Sequence, residues 1–430
     1  MNDRDRLEIG GCDVRLLVER FGSPLYIVDE QTLRSACRQY REAFKQNYPG
    51  ESLVLYASKA WSCLAVCALV ASEGLGLDVV SGGELYTAIA ANVSPNTLYL
   101  HGNNKSRDEL LLAIDTGCTI VIDNWLDIEM LAQLSEQRST EAPIRVMVRL
   151  TPGIECHTHE YIRTGHLDSK FGFDPNQWDG VFKEIAQQPG LSCAGLHAHI
   201  GSQIFELQPH EDLAGVIVDA IAKANQYGLT ITEVNVGGGL GIRYTEADDP
   251  PSIETWVQTV CQAMVKACQE RNMELPKLLC EPGRSIVGPA CITAYTVGSQ
   301  KQIPEIRTYV AVDGGMSDNP RPITYQSVYR VVVANRMSAP LSETVTVAGK
   351  HCESGDILIP EAQLPPCKPG DILAVLATGA YNYSMASNYN RLPRPAAVLV
   401  SEGECNLILE RETYQDLIRQ DRLPERLAAF

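Results

Sequence analysis

The sequence lacks any apolar run long enough to cross a membrane. The longest, "CLAVCALVA" (Cys63–Ala71), has nine residues, whereas a spanning helix needs about 20. The first residues, "MNDRDRLEIGG", are polar and have no apolar core of the kind a secretory leader carries. Positive charge is also in short supply. Lys and Arg number 36 against 53 Asp and Glu, a formal net charge of −17. That balance speaks against a surface built for nucleic acid or anionic lipid, so neither kind of partner is expected. Complete zinc-ligand spacing is missing as well. Cys63 and Cys67 stand one helical turn apart with no second pair, and "CHTH" (Cys156–His159) is not extended to four ligands, so no metal is expected. The 14 cysteines therefore read as reduced thiols of a cytoplasmic protein. Low-complexity tracts are absent too.

What is present is an alternation. Eight short strand-like runs occur at 53–59, 75–81, 97–102, 119–124, 144–150, 195–202, 232–239 and 277–284. Helix-like segments follow the first seven, several ending in Gly or Asn as helices often do. Strands separated by helices pair in parallel, and eight of them without hairpin signals predict a closed (β/α)₈ barrel over 31–285. A long spacing between runs five and six marks an inserted loop around 151–170. From 286 to 430 the texture becomes strand-like, with Pro- and Gly-rich turns, and reads as an all-β domain. The first thirty residues, including "SPLYIVDEQTL", are expected to join that β domain.

In such a barrel the chemistry gathers at the C-terminal ends of the strands. Run one delivers Lys59 there, and run two carries Asp78 followed by "SGGE". Run six ends in His197, His199 and Ser202, run seven in Gly237, Gly238, Gly239 and Gly241, and run eight in Glu281, Gly283 and Arg284. The glycine run is not followed by the helix a dinucleotide fingerprint requires. It does suit a phosphate, because glycine lets backbone N–H groups approach an anion, and the loops after strands seven and eight are where a barrel commonly holds one. A lysine amine, a phosphate nest and no nucleotide motif suggest a phosphorylated aldehyde, and pyridoxal 5′-phosphate fits. Its aldehyde condenses with a lysine, and its pyridine nitrogen needs an acid such as Glu281 to make the ring an electron sink. His199 is the candidate for stacking on the ring. One of His197 and His199, alternating along a strand, could instead be a core histidine.

The motifs "YASKA", "HIGSQ", "GGGLG", "EPGR" and "CESGD" occur in the order found in the fold-type III pyridoxal-phosphate decarboxylases, and the sequence resembles that family over essentially its whole length. The segment "THEYIRTGHLDSKFGF" and the "CE" pair resemble its diaminopimelate-specific branch. The resemblance implies an alanine-racemase-like barrel plus a β domain and decarboxylation of meso-2,6-diaminopimelate to L-lysine. It implies Lys59 as the Schiff-base lysine, His199 stacked on the cofactor, and Glu281 on the pyridine nitrogen. Ser202, Gly237–Gly239, Gly283 and the backbone of Arg284 would hold the phosphate, with Asp78 also near the cofactor. Arg284, Arg321 and Tyr325 would bind substrate, Cys352 would donate the proton that replaces the lost carboxylate, and Glu353 would meet the distal amine. Tyr381 would touch both cofactor and substrate. In these relatives the Cys-Glu loop reaches the site of the other subunit, which implies a homodimer with a shared active site. One departure stands out: Trp61 occupies a place where the family commonly has asparagine.

The nearest rival is an ornithine- or arginine-type decarboxylase of the same fold. Two arginines together with Glu353 match a substrate whose far end bears both a carboxylate and an amine, and a diamine producer needs only the acid. A racemase would place an arginine at the pyridine nitrogen, where "EPGR" offers an acid. A barrel-only cofactor-binding protein would lack 286–430. An enzyme-like inhibitor would be expected to have lost Lys59 or Glu281.

Overall fold

The computed structural model describes residues 1–138, 142–154 and 169–427. The chain divides into two compact units. One runs from Thr32 to Gly288, and the other combines Met1–Gln31 with Pro289–Phe430. No helix among the described residues is long and apolar enough to cross a membrane.

The Thr32–Gly288 unit is a closed barrel of eight strands, numbered one to eight here in chain order: Ser52–Ala57, Gly76–Val79, Leu98–Leu100, Thr119–Ile122, Ile144–Leu150, Leu191–Ala198, Glu233–Asn235 and Lys277–Cys280. Each pairs in parallel with its neighbours, and strand eight closes onto strand one. The strands are buried on both faces, which explains why they read as continuous apolar runs. Inside, Leu55, Tyr99, Val121, Met147 and Leu279 fill the barrel. All eight strands expected from sequence are present, and all but the fifth end a few residues before the run does. The residues beyond are thereby left on the rim loops.

Helices follow strands one to seven, at Leu64–Ser72, Gly82–Ala90, Arg107–Thr116, Trp125–Arg138, Trp178–Ala186, Gln208–Gln226 and Ile253–Glu270. Strand eight is followed only by the short Arg284–Val287. The missing eighth helix is supplied from before strand one, by Glu30–Asn47. Its Tyr40 ring meets Trp256 of the seventh helix, and its Arg34 and Arg38 clasp Glu73 at the end of the first. The sequence reading assigned it no element, although Leu33, Ala36, Cys37, Tyr40, Ala43 and Phe44 recur at helical spacing and are all buried.

In the other unit, strand Leu25–Asp29 lies between Cys291–Ile303, its antiparallel partner, and Ala396–Ser401, its parallel one. They belong to a nine-stranded sheet. Leu25, Ile27, Ile292, Ala294, Ala374, Ala396 and Val398 form its core with Val14 and Leu17 of the helix Val14–Phe21. That helix is an addition to the all-β expectation. Its start is capped by the Asp13 carboxylate, which accepts from the N–H groups of Arg15 and Leu16.

Most of the inserted loop between strands five and six, with "CHTH" and the greater part of "THEYIRTGHLDSKFGF", lies outside the described residues. Its two ends are tied together. Thr151 N–H donates to the Phe173 carbonyl at 2.9 Å, and Phe173 N–H donates to that of Arg149 at 3.0 Å.

Candidate active site

Strand one runs into a single 3₁₀ turn, Ser58–Ala60, that carries Lys59 half-buried at the rim. The turn rests on Trp61, which is fully buried and whose carbonyl accepts from the Tyr56 hydroxyl at 3.1 Å. The residue that departs from the family pattern is thus a packing element behind the lysine. The Lys59 charge acts on Asp78 at the end of strand two and on His199 after strand six.

The electrostatic centre of the rim is Glu281, just past strand eight and 6% exposed. Asn235, the last residue of strand seven, donates from Nδ2 to its Oε1 at 2.6 Å. His197 Nε2 lies 3.1 Å from Oε2, and His101 Nε2 lies 2.9 Å from Oε1. Burial alone would push this carboxyl up. His101 and His197 outweigh burial and hold it well below the usual carboxylate range, so it stays charged. His197 itself is pushed down to about 4, chiefly by burial, and is neutral. Its Nε2 therefore carries the proton toward Glu281. The three groups lie within 4.8 Å of one another, a spacing a metal could also use. Their direct contacts read instead as one buried carboxylate, hydrogen-bonded by Asn235 and His197 with the His101 ring beside it. Asp78, fully buried and 3.7 Å from His101 Nε2, is raised by burial although His101 and Lys59 pull it down. Arg149 at the end of strand five is 8% exposed, lies 3.7 Å from Asp123 and acts on both Asp78 and Glu281.

The glycine run works differently from a plain nest. Gly237 sits at φ +67°, and a Cβ there would be 2.7 Å from His199 Nδ1. A Cβ on Gly238 would be 2.3 Å from the Glu281 carbonyl oxygen. Both must be glycine for the backbone to come this close. Yet the N–H of Gly237 is taken by Asn235 Oδ1 at 2.9 Å, and that of Gly238 by His199 Nδ1 at 3.2 Å. Those two donors are spent on side chains and do not point an open N–H at an anion. The bond to Gly238 also fixes His199 as the tautomer with its proton on Nε2. Burial, with Lys59 and Arg149 adding to it, keeps that ring neutral. Beside this loop, Ser202 Oγ accepts from Arg284 Nε and Nη2 at 3.2 and 2.9 Å, and Arg284 Nη1 donates to the Tyr244 hydroxyl at 2.7 Å. The set fits pyridoxal phosphate: an amine for the aldehyde, a charged acid for the ring nitrogen, and a side-chain-free cradle beside a hydroxyl and a guanidinium for the phosphate.

The remaining candidates belong to the β unit. Arg321 opens the short helix Arg321–Tyr325 and is 6% exposed, so it is not a surface residue of a Pro-rich turn. Its guanidinium carbon stands 5.2 Å from the Tyr325 ring centre and 5.5 Å from that of Tyr381. Its Nε donates to the Tyr329 hydroxyl at 2.9 Å. Tyr381 is held at φ +70°, a conformation that costs a side-chain-bearing residue about 1–3 kcal/mol. Cys352 and Glu353 are exposed on a loop that folds around Asp356. The Asp356 carboxylate receives the N–H groups of Met316 and His351 and, at 2.7 Å, the His351 ring. Cys352 N–H donates to Asn390 Oδ1 at 2.7 Å, and the Tyr389 hydroxyl reaches Glu353 at 3.3 Å while its ring stacks on His351.

The structure thus gathers Lys59, Asp78, His199, Ser202, Gly237, Gly238, Gly239, Glu281, Gly283 and Arg284 on the barrel rim, and places Arg321, Tyr325 and Tyr381 together in the β unit. Sequence reasoning left out His101, Asn235 and Arg149. Each is a polar residue at the C-terminal end of an apolar strand, which was the available signal. His197, left open as a core histidine, is a partner of Glu281.

The family model described as "Pyridoxal-dependent decarboxylase, pyridoxal binding domain" matches residues 30–288, the helix Glu30–Asn47 and the whole barrel. The barrel is accordingly that of a pyridoxal-dependent decarboxylase. The sequence is 64% identical to the diaminopimelate decarboxylase of Synechocystis, over 99% of this chain and 92% of that one. It is 46% identical to the Bacillus subtilis diaminopimelate decarboxylase, over 98% and 96%. The crystal structure of the M. jannaschii diaminopimelate decarboxylase in complex with L-lysine superposes with a TM-score of 0.93 at 33% identity, covering 99% of this chain and 98% of that one. The chain belongs to the diaminopimelate decarboxylase family.

Proposed function

We propose that the chain decarboxylates meso-2,6-diaminopimelate to L-lysine and carbon dioxide, with pyridoxal 5′-phosphate as cofactor. The observation that carries this reading is the presence, just past the adjacent strands one and eight, of a rim lysine and a buried carboxylate held in its charged form. When bound, the cofactor supplies a sink for the electron pair that the departing carboxylate leaves behind. Lys59 is the amine that would hold its aldehyde. Glu281, kept charged by His101, His197 and Asn235, keeps the pyridine nitrogen protonated. His199, neutral and oriented by Gly238, would lie against the ring. Ser202, Gly237, Gly238, Gly239, Gly283 and the backbone of Arg284 would hold the phosphate. The Arg284 guanidinium is occupied by Ser202 and Tyr244, which favours the phosphate side over a direct substrate contact.

Substrate choice rests on charge. The far end of diaminopimelate carries a carboxylate and an ammonium. Arg321, held through Nε by Tyr329 and through Nη2 by Ser327, offers the positive charge that matches the first, and Glu353 the anion that matches the second. Cys352 returns a proton to the α-carbon. The exposure of Cys352 and Glu353 supports a homodimer in which this loop completes the partner's site. A cytoplasmic location accords with the substrate and with the reduced cysteines.

Carbon dioxide release from meso-diaminopimelate, ornithine, arginine and lysine in parallel tests the reading. Turnover of diaminopimelate alone is expected. Turnover of ornithine without diaminopimelate would overturn the substrate while leaving the chemistry in place.

A further inference from the structure

Beneath the glycine loop lies a column of aromatic rings that the reaction itself does not use. His210, in the first turn of the helix Gln208–Gln226, is 3% exposed, and neither of its ring nitrogens has a hydrogen-bond partner among the described residues. Its Cε1 lies 3.2 Å from where a Cβ on Gly239 would stand. Trp256 meets it edge to face, centroids 5.3 Å apart, and Tyr40 meets Trp256 in the same manner at 6.0 Å. The column ends in a hydrogen bond of 2.7 Å between the Tyr40 hydroxyl and Ser285 Oγ, next in the chain to Arg284. It therefore bears on the loop after strand seven at one end and on the loop after strand eight at the other. The three rings come from three different outer helices, so their packing sets the spacing of two loops that share no strand.

We infer that the column His210–Trp256–Tyr40 positions the two phosphate-side loops, and that His210 is the positioning residue that sets the height of Gly239. The inference rests on the reading of those loops as the phosphate site. Without a hydrogen bond to hold it, the His210 ring acts through its shape, edge-on to Trp256 and against Gly239. A ring of the same outline without nitrogens should serve equally, whereas loss of the ring lets Gly239 sink and opens the cradle.

The test titrates protein stripped of cofactor with pyridoxal phosphate and with pyridoxal, which lacks the phosphate, and takes the ratio of the two affinities. His210→Ala should lower that ratio about tenfold or more, the equivalent of one hydrogen bond to a charged group. His210→Phe should keep the wild-type ratio. His210→Leu, similar in volume but not a ring, is read in the same way as the alanine variant should that one fail to fold. An unchanged ratio in the ring-less variants, or an equal loss of both affinities, overturns the inference. Ser202→Ala separates the two levels. If it lowers the ratio while His210→Ala does not, the column has no positioning role and the phosphate site stands. If neither variant changes the ratio, the phosphate reading falls and the inference with it.

Discussion

Replacing Glu281 with glutamine probes the centre of the proposed chemistry with little change of shape. The folded protein should tolerate it. Two charge-assisted hydrogen bonds, from Asn235 and His197, become ordinary ones, at a cost of about 1 kcal/mol each, but the barrel no longer has to bury a charged carboxylate. The amide also has a partner waiting. His197 Nδ1 has no hydrogen bond, so that ring can move its proton from Nε2 to Nδ1 and accept where it had donated. The chemistry should fare worse. A unit charge facing a protonated ring nitrogen at ~4 Å, with an effective dielectric of ~20, contributes ~4 kcal/mol, or roughly three pH units of proton affinity at the nitrogen. If all of it is felt in the barrier, turnover falls about a thousandfold. The assay is carbon dioxide release at saturating cofactor and substrate, alongside cofactor content from its visible absorbance and thermal unfolding. A fully loaded variant that retains kcat within about tenfold of wild type would refute the assignment of Glu281 to the ring nitrogen.

Other perturbations have equally definite signs. Burial places His210 at about 4 in the fold, against an ordinary value of ~6.5, so the unfolded chain binds its proton first and stability falls as pH drops from ~6.5 toward 4. At about pH 5 this amounts to ~2 kcal/mol, and His210→Phe should gain that much on wild type between about pH 8 and 5 in denaturant unfolding. An equal response of both proteins would show that the site is not buried as described. Glu73, bound by Arg34 at 2.7 Å and Arg38 at 2.8 and 2.9 Å, is held down to about 2. Its contribution is complete above ~4.5 and is lost as pH falls toward 2. Glu73→Gln should cost about 1–2 kcal/mol at neutral pH, after allowance for solvent screening, and progressively less in acid. Tyr389→Phe removes the hydroxyl that reaches Glu353. It should raise KM for diaminopimelate a fewfold and leave kcat nearly unchanged; a fall in kcat alone would point to an effect on Cys352 instead.

The barrel was legible because its strands are buried on both faces, so each appears as an apolar run whose end is marked by the first polar residues. Glu30–Asn47 escaped notice for the opposite reason. It stands before the first barrel strand, where a helix belongs only because strand eight hands the chain to the other unit after four helical residues. Periodicity revealed the helix faces but not which slot each helix fills. At the rim, Lys59, Glu281 and the glycines could be read because each is conspicuous in type. Asn235 and His101 are not, and their importance depends on a distance to Glu281 that only closure of the barrel creates. The glycine run shows the limit of reading chemistry from composition. Its lack of side chains lets the backbone come close to His199 and to the Glu281 carbonyl, and two of its N–H groups are used by neighbouring side chains.

Asn235 explains why those donors are used in this way. The cofactor proposed here must be gripped at two ends, an acid at its ring nitrogen and a cradle at its phosphate, and the two grips must keep a constant separation. A rim made only of loops would let them drift. Asn235 is the last residue of a strand, fully buried, and its amide serves both ends: Nδ2 holds Glu281 and Oδ1 holds the N–H of Gly237. His199 repeats the arrangement one residue along, with its ring bound to the N–H of Gly238. The glycine loop is thus set by Asn235, which also holds Glu281, and by His199, and two N–H groups that could have faced an anion are exchanged for a fixed distance between this loop and Glu281. In the proposed site, what remains to complete the cradle would fall to Ser202, to Arg284 and to Gly239, whose N–H, unlike those of Gly237 and Gly238, is bound by no side chain among the described residues, and which rests on His210 from below.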